Sequence, residues 1–245
     1  MEVTNHVVGG VSARIKVSAV SEDKISVVIV DDESLLRSGF EMILDAAGDI
    51  DVLATTSGAQ ALAEITRHRP DVVLLDIRMP DVDGLAVLRE IQALNDPPVV
   101  TMLTAFAADE YVAEALRVGA AGFIVKDTDP VQLIQQVRAL AGGSVVLSPQ
   151  TTRAVLDSAV PSASAADLAL VGELNVRERD VLRLMAKGLS NTEIGARLHL
   201  SVGSIKDHVR AILTKLAVAN RVQAALVAQR AGLLTDQDDT GGKQP

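Results

Sequence analysis

Asp31 and Asp32 are adjacent acids directly after an apolar run, Ile25 to Val30. Asp76 follows the run from Asp71 to Leu75, Thr104 follows Pro98 to Leu103, and Lys126 follows Gly122 to Val125. Each polar residue stands at the C-terminal end of a β-branched, nearly continuous apolar stretch. One such Asp alone is an ordinary turn or cap residue. The whole set points to a site, provided the runs lie side by side. Carboxylates brought close together repel and need a cation. The chain has no cysteine, and His6, His68, His199 and His208 do not cluster, so hard Mg²⁺ or Mn²⁺ is the natural match. Such an ion keeps waters and accepts a phosphate beside one or two protein carboxylates. An Asp carboxylate can attack phosphorus and form an aspartyl-phosphate. Thr104 and Lys126 can then hold two oxygens of the transferred group, because this transfer is mostly positioning and charge neutralisation.

The apolar runs read as strands buried on both faces of a parallel sheet, with a weaker run from Asp51 to Thr55 between the first two. Helical spacing fills residues 34–46, 58–68, 84–94, 108–118 and 130–141, and Gly119 and Gly142-Gly143 occupy C-terminal cap positions. This alternation predicts a doubly wound α/β domain with a five-stranded parallel sheet. The C-terminal strand ends of such a sheet share one edge, where these folds bind ligands.

The 245 residues are 48% apolar and 22% charged, which suits two modest globular domains and excludes wholesale disorder. No run approaches the ~20 apolar residues of a bilayer span, and the N-terminus has no continuous apolar stretch, so a cytoplasmic protein without membrane attachment is expected. Aromatic residues are only 2%, which disfavours base-stacking RNA surfaces. Charge divides the chain. Residues 25–148 carry 8 Lys+Arg and 19 Asp+Glu, net −11, whereas residues 170–234 carry 10 and 5, net +5. An acidic module joined to a basic one suggests that the second faces a polyanion. The expected boundaries are an extension over 1–24, the α/β domain over 25–147, a linker over 148–169, a small all-α domain over 170–234 and a flexible tail over 235–245. Within the linker, residues 151–159 can form a short helix.

In the basic module, Asn175-x-x-Glu178 and Ser190-x-x-Glu193 are capping boxes. Ser201 can cap a helix over 202–216, and Asn220 one over 221–230. Ile205, Val209, Ile212, Leu213 and Leu216 form an apolar stripe, and Lys206, Asp207 and Arg210 fall off it. This is the outline of a helix-turn-helix whose basic face enters the major groove of duplex DNA. Taken alone, the helix fits a solvated charged face equally well.

Combined, these segments carry a resemblance. Ile29-Val30-Asp31-Asp32-Glu33, Val73-Leu74-Leu75-Asp76-Ile77-Arg78-Met79-Pro80, Asp83-Gly84, Thr104-Ala105 and Gly119-Ala120-x-Gly122-Phe123-x-x-Lys126 resemble the receiver domain of bacterial response regulators over residues 25–145. The resemblance implies a flavodoxin- or CheY-like fold, with Asp76 accepting phosphate from a partner histidine kinase. It also implies Mg²⁺ on Asp31, Asp32, Asp76 and the backbone carbonyl of Arg78. Thr104 becomes the switch hydroxyl, Lys126 the phosphate-binding lysine and Phe123 the switch aromatic, moving inward on phosphorylation. Phe123 departs from the Tyr common there, and Lys126 is followed by Asp127 rather than Pro.

Arg177-Glu178-x-x-Val181-Leu182, Ala186-x-Gly188-x-Ser190-Asn191-x-Glu193-Ile194-Gly195, Leu200-Ser201-x-x-Ser204-Ile205-Lys206-x-His208 and Lys215-Leu216-x-Val218-x-x-Arg221 resemble the LuxR-type helix-turn-helix over 172–232. Together the halves are similar to the NarL/FixJ class. In that class Lys206, Asp207 and Arg210 face base edges, and Ser201 and Ser204 belong to the same DNA surface. Asp207 is unusual there, although a carboxylate can accept from cytosine N4. The implied protein is a transcription regulator switched at Asp76. It is expected to pair as a homodimer on phosphorylation or on DNA, and to act on no substrate beyond its own phosphoryl group. The acidic and basic modules are further expected to make an inhibitory contact. Alternatives are a receiver used only for phosphorelay or protein contact, and an Asp-nucleophile phosphatase, for which no acid/base partner stands beside Asp76.

Overall fold

The computed structural model describes residues 24–105, 111–146 and 165–234. The expected extension short of Lys24, the helix over 151–159 and the C-terminal tail lie outside the described residues. Five strands, β1 (Ile25–Val30), β2 (Ile50–Thr56), β3 (Val72–Asp76), β4 (Val99–Thr104) and β5 (Gly122–Val125), form one parallel sheet in the order β2-β1-β3-β4-β5. Strand order reverses between β1 and β3, and ligands of doubly wound sheets bind at that switch point. Every residue of β3 is buried, as a central strand covered on both faces requires. The ladder runs one residue further than the apolar runs suggest. Asp76 pairs with Leu103, and Asp76 and Thr104 are the last residues of their strands rather than the first beyond them.

Helices α1 (Ser34–Asp45) and α5 (Pro130–Ala141) cover one face through Phe40, Leu44, Leu133, Val137 and Leu140. Helices α2 (Ala61–His68), α3 (Gly84–Gln92) and α4 (Val112–Val118) cover the other through Ile65, Leu88, Ile91, Val112 and Leu116. The helix expected over 58–68 begins instead with a 3₁₀ turn, Gly58–Gln60. Asp83 caps α3 and Asp129 caps α5, each accepting from the backbone N–H two residues on.

The basic module has its own core, including Val181, Leu182, Ile194, Ile205 and Ile212. It contains α6 (Ala165–Gly172), α7 (Val176–Ala186), α8 (Asn191–Leu198), α9 (Val202–Lys215) and α10 (Arg221–Arg230). Helix α6 corrects the linker assignment, because its start lies inside 148–169. The small-residue stretch read as a spacer includes Ala, which is also the strongest helix former. An ion pair from Arg230 to the buried Asp167, at 2.9 Å, ties α6 to α10. No helix among the described residues is long and apolar enough to cross a membrane.

Candidate functional site

The sheet edge does bring distant residues together. Lys126 Nζ lies 2.8 Å from Asp31 Oδ2 and 3.0 Å from Asp76 Oδ2. It also lies 3.0 Å from Glu33 Oε1. Backbone ladders hold the three strand ends level. Ile77 N donates to Leu103 O at 3.2 Å, and Lys126 N donates to Thr104 O at 2.8 Å. Each buried carboxylate is pinned by its own loop through the other oxygen. Asp31 Oδ1 accepts from Glu33 N at 2.8 Å, and Asp76 Oδ1 accepts from Arg78 N at 3.2 Å. One oxygen therefore orients each acid, and the other is turned toward the lysine.

Burial decides the electrostatics. Asp31 is fully buried and Asp76 is 4% exposed. Desolvation pushes the Asp76 carboxyl above the usual range, and the Asp31 charge adds to this against the opposing pull of Lys126. Burial works against the Lys126 charge too, but the carboxylates of Asp31, Glu33 and Asp76 against it outweigh this and hold the ammonium well above the normal lysine range. The lysine is thus a fixed cation, and the acids around it still exceed it in charge.

Asp32, at the next position, is half-buried, and Arg78 is exposed with its guanidinium 5.6 Å from the Tyr111 ring centroid. Thr104 is buried at the end of β4. Among the described residues no three His, Cys, Asp or Glu side chains form a ready-made metal cage. The donor set still fits a hard ion that takes one or two carboxylates and keeps its waters. Asp31 Oδ2, in particular, accepts no aligned hydrogen bond. Phe123, expected as the switch aromatic, is the second residue of β5. It is already 4% exposed and belongs to the apolar cluster of Met102, Val112 and Leu116.

The residues expected to read DNA lie on α9 or, for Ser201, at its cap. Ser201 caps the helix, its Oγ accepting from Ser204 N at 3.1 Å and lying 2.9 Å from Ser204 Oγ. Lys206, Asp207 and Arg210 are exposed, while Ile205, Ile212 and Leu216 are buried behind them. The helix is not free, however. Arg210 Nη2 lies 2.7 Å from Asp96 Oδ1 on the α3–β4 loop. Lys206, Val209 and Arg210 line a cavity of about 700 Å³ closed on the other side by Asp71, Asp96 and Pro98. Asn191 N donates to Gly142 O at 2.9 Å. Asn220 Nδ2 donates to Leu116 O and Ala120 O, both at 2.9 Å. Gln223 Nε2 donates to Leu116 O and Arg117 O, both at 2.8 Å. These contacts seat the basic module on the N-terminal edge of the sheet, opposite Asp76. Residue patterns had marked Asn220 only as a helix cap and Glu33 only as the end of the Ile29–Glu33 motif, and Asp96 and Gln223 carried no signal beyond their types.

Comparison with known proteins agrees with this architecture. The response regulator receiver domain profile matches residues 27–138, and the profile of bacterial regulatory proteins of the luxR family matches residues 173–228. The uncharacterized transcriptional regulatory protein YxjL of Bacillus subtilis (strain 168) is 33% identical, covering 87% of this chain and 99% of its own. The nitrate/nitrite response regulator protein NarL of Escherichia coli (strain K12) is 31% identical, covering 84% of this chain and 95% of its own. A crystal structure of a LuxR-family two-component response regulator from Aurantimonas sp. SI85-9A1 shares the fold. Its TM-score is 0.51 at 22% identity, over 56% of this chain and 99% of that one. Since relatives align along nearly their whole length with both halves in the same order, the chain belongs to the transcriptional response regulators that join a receiver domain to a LuxR-type DNA-binding domain.

Proposed function

We propose that Asp76 is the phosphoryl acceptor of this regulator, and that its phosphorylation by a sensor histidine kinase frees α9 to bind duplex DNA. One observation carries the reading: a single ammonium, Lys126 Nζ, sits within 3.0 Å of both Asp31 and Asp76 at the sheet's switch point. Asp31, Asp32, Asp76 and the Arg78 carbonyl would hold Mg²⁺ (Mn²⁺ in its place), whose charge offsets that of an incoming phosphoryl group. Asp76, pinned through Oδ1 by Arg78 N, presents Oδ2 as the nucleophile. Lys126 supplies a charge that needs no proton change, and Thr104 offers a hydroxyl at the end of the neighbouring strand. Leu35 (86% exposed) and Val131 (63%) are exposed apolar residues in the first turns of α1 and α5, where a docking kinase could meet them.

The resting chain is read as closed. Asp96 holds Arg210 in the way a DNA phosphate would, and the basic helix faces the receiver instead of a groove. Release, followed by pairing of two chains on DNA, completes the switch. Such a regulator works in the cytoplasm, beside the genome. The test is intact mass after incubation with acetyl phosphate and Mg²⁺. A phosphoryl adduct on wild type that is lost in Asp76→Asn supports the assignment, and equal adducts on both overturn it. Gel shifts of the full chain before and after phosphorylation, and of residues 165–245 alone, test the closed state. The isolated module is expected to bind DNA without phosphorylation, and equal binding by all three species removes the coupling.

A further inference from the structure

A lysine ammonium has three donors. At Lys126 three carboxylates crowd the ammonium, Asp31 at 2.8 Å and Asp76 and Glu33 at 3.0 Å each, and an aligned hydrogen bond goes to Glu33 Oε1. Glu33 differs from the others. Its side chain is 67% exposed, and it lies outside the set of residues assigned to the metal. Nor does it support the helix that it precedes, since its side chain makes no capping hydrogen bond to α1.

We propose that Glu33 is a positioning residue that competes with the phosphoryl group for Lys126 and so shortens the life of phosphorylated Asp76. This rests on Asp76 being the acceptor. In the transfer from acetyl phosphate, an Asp76 oxygen attacks phosphorus. The bond from phosphorus to the acetyl oxygen breaks, and acetate leaves with that electron pair. No proton is gained or lost. The Asp76 side chain thereby changes from a monoanion to nearly a dianion. Transfer makes Asp76 Oδ2 the ester oxygen, and Lys126 turns toward a phosphoryl oxygen and away from one of its two remaining carboxylates. Asp31 is fully buried and pinned by Glu33 N, so the exposed Glu33 carboxylate is the one displaced. Once displaced, it remains beside the new dianion as a like charge. Lost pairing and added repulsion act in the same direction, against the phosphorylated form. The same charge at the mouth of the site also repels anionic phosphodonors on approach.

The experiment compares wild type, Glu33→Gln and Glu33→Ala in the full chain with Mg²⁺. It follows the gain of the phosphoryl adduct from acetyl phosphate and its loss after donor removal, at low and high salt. Thermal melts confirm that the variants fold. Both variants are expected to keep the adduct about two- to fivefold longer, the effect of one exposed ion pair. They are also expected to gain it faster. Both differences should shrink near 1 M salt, where the Debye length falls to ~3 Å. Equal or shorter adduct lifetimes in the variants, or differences that ignore salt, overturn the proposal. A wild type that takes no adduct overturns the acceptor assignment itself, before any comparison of variants.

Discussion

The Asn220 side-chain amide donates to the carbonyls of Leu116 and Ala120, both at 2.9 Å, and so closes the C-terminal end of α4 from a different domain. Helix ends leave carbonyls without partners inside the helix. Here the DNA-binding module supplies them, with Gln223 adding two more bonds. Meanwhile Asn220 Oδ1 accepts from Gln223 N at 2.9 Å and caps α10. One residue therefore ends a receiver helix and starts a DNA-binding helix. Helix α4 starts at Val112, eight positions after Thr104.

Asn220→Asp separates the two roles. An Asp keeps the oxygen that caps α10 but turns an acceptor toward the α4 carbonyls. Two interdomain hydrogen bonds are lost, at about 1 kcal/mol each. The unphosphorylated variant is expected to bind operator DNA roughly tenfold or more tighter than wild type. Gel-shift titration checks this, and unchanged affinity would show that the docking does not restrain α9.

Asp96→Asn tests the ion pair on Arg210. Both side chains are largely exposed, at 72% and 62%, so the contribution is small, on the order of 0.2–1 kcal/mol. Basal DNA binding is expected to rise a fewfold at low salt and to match wild type at high salt. Lys206→Ala, by contrast, is expected to weaken specific binding by roughly 1–3 kcal/mol when Lys206 contacts a base edge. Loss on every sequence alike, with a salt slope lower by about one, would mark a phosphate contact instead.

Gly84→Ala should damage the acceptor loop. A Cβ at Gly84 would lie 2.2 Å from the Asp76 carbonyl oxygen and 2.8 Å from that of Ile77. Those are backbone atoms, and they cannot yield without moving Asp76. A lower melting temperature and a reduced phosphoryl adduct are expected together, measured by calorimetry and intact mass.

Glu178 gives a pH prediction. It is 4% exposed, caps Asn175 N at 2.8 Å and meets Lys215 Nζ at 2.7 Å. Burial opposes its charge, but Lys215 and the Asn175 N–H outweigh this and hold its carboxyl below the ordinary value of 4.5. A depressed folded value means that the contribution is present above pH 4.5 and is lost as pH falls through the folded value. Glu178→Gln is expected to lose ~1–3 kcal/mol at neutral pH and to show less acid destabilisation below that point. Denaturant melts of residues 165–245 across the acid range measure both.

How far the sequence could be read depended on the range of each interaction. Ile25–Val30, Val72–Leu75 and Val99–Leu103 are β-branched runs with a polar terminator, so the edge that gathers Asp31, Asp76 and Lys126 followed from local pattern and one topological rule. The helices at Asn175, Ser190, Ser201 and Asn220 were equally plain, because a cap is a short-range signal. Helix α6 was obscured because Ala165-Ala166 read as spacer. Glu33 was invisible as a partner of Lys126, since an exposed acid has no period. The docking of Asn220 and Gln223 on α4 joins residues about a hundred positions apart, and no local pattern encodes such a pairing. Phe123 was assigned a role by resemblance, and the buried position that it takes follows from its apolar neighbours Met102, Val112 and Leu116.

The sheet also fixes where other molecules can stand. Asp76 ends β3, a strand of five residues, about 17 Å long. The DNA-binding module rests past the other end of that strand. A kinase approaching the acceptor and the module covering the receiver's far edge therefore do not compete for space. On the proposed reading, with Asp76 as acceptor and release of the module as output, the chain can be charged with phosphate while still closed, and opening can come afterwards. Signal reception and DNA engagement are then successive events on one molecule, and a kinase need not wait for a rare open form to find its substrate.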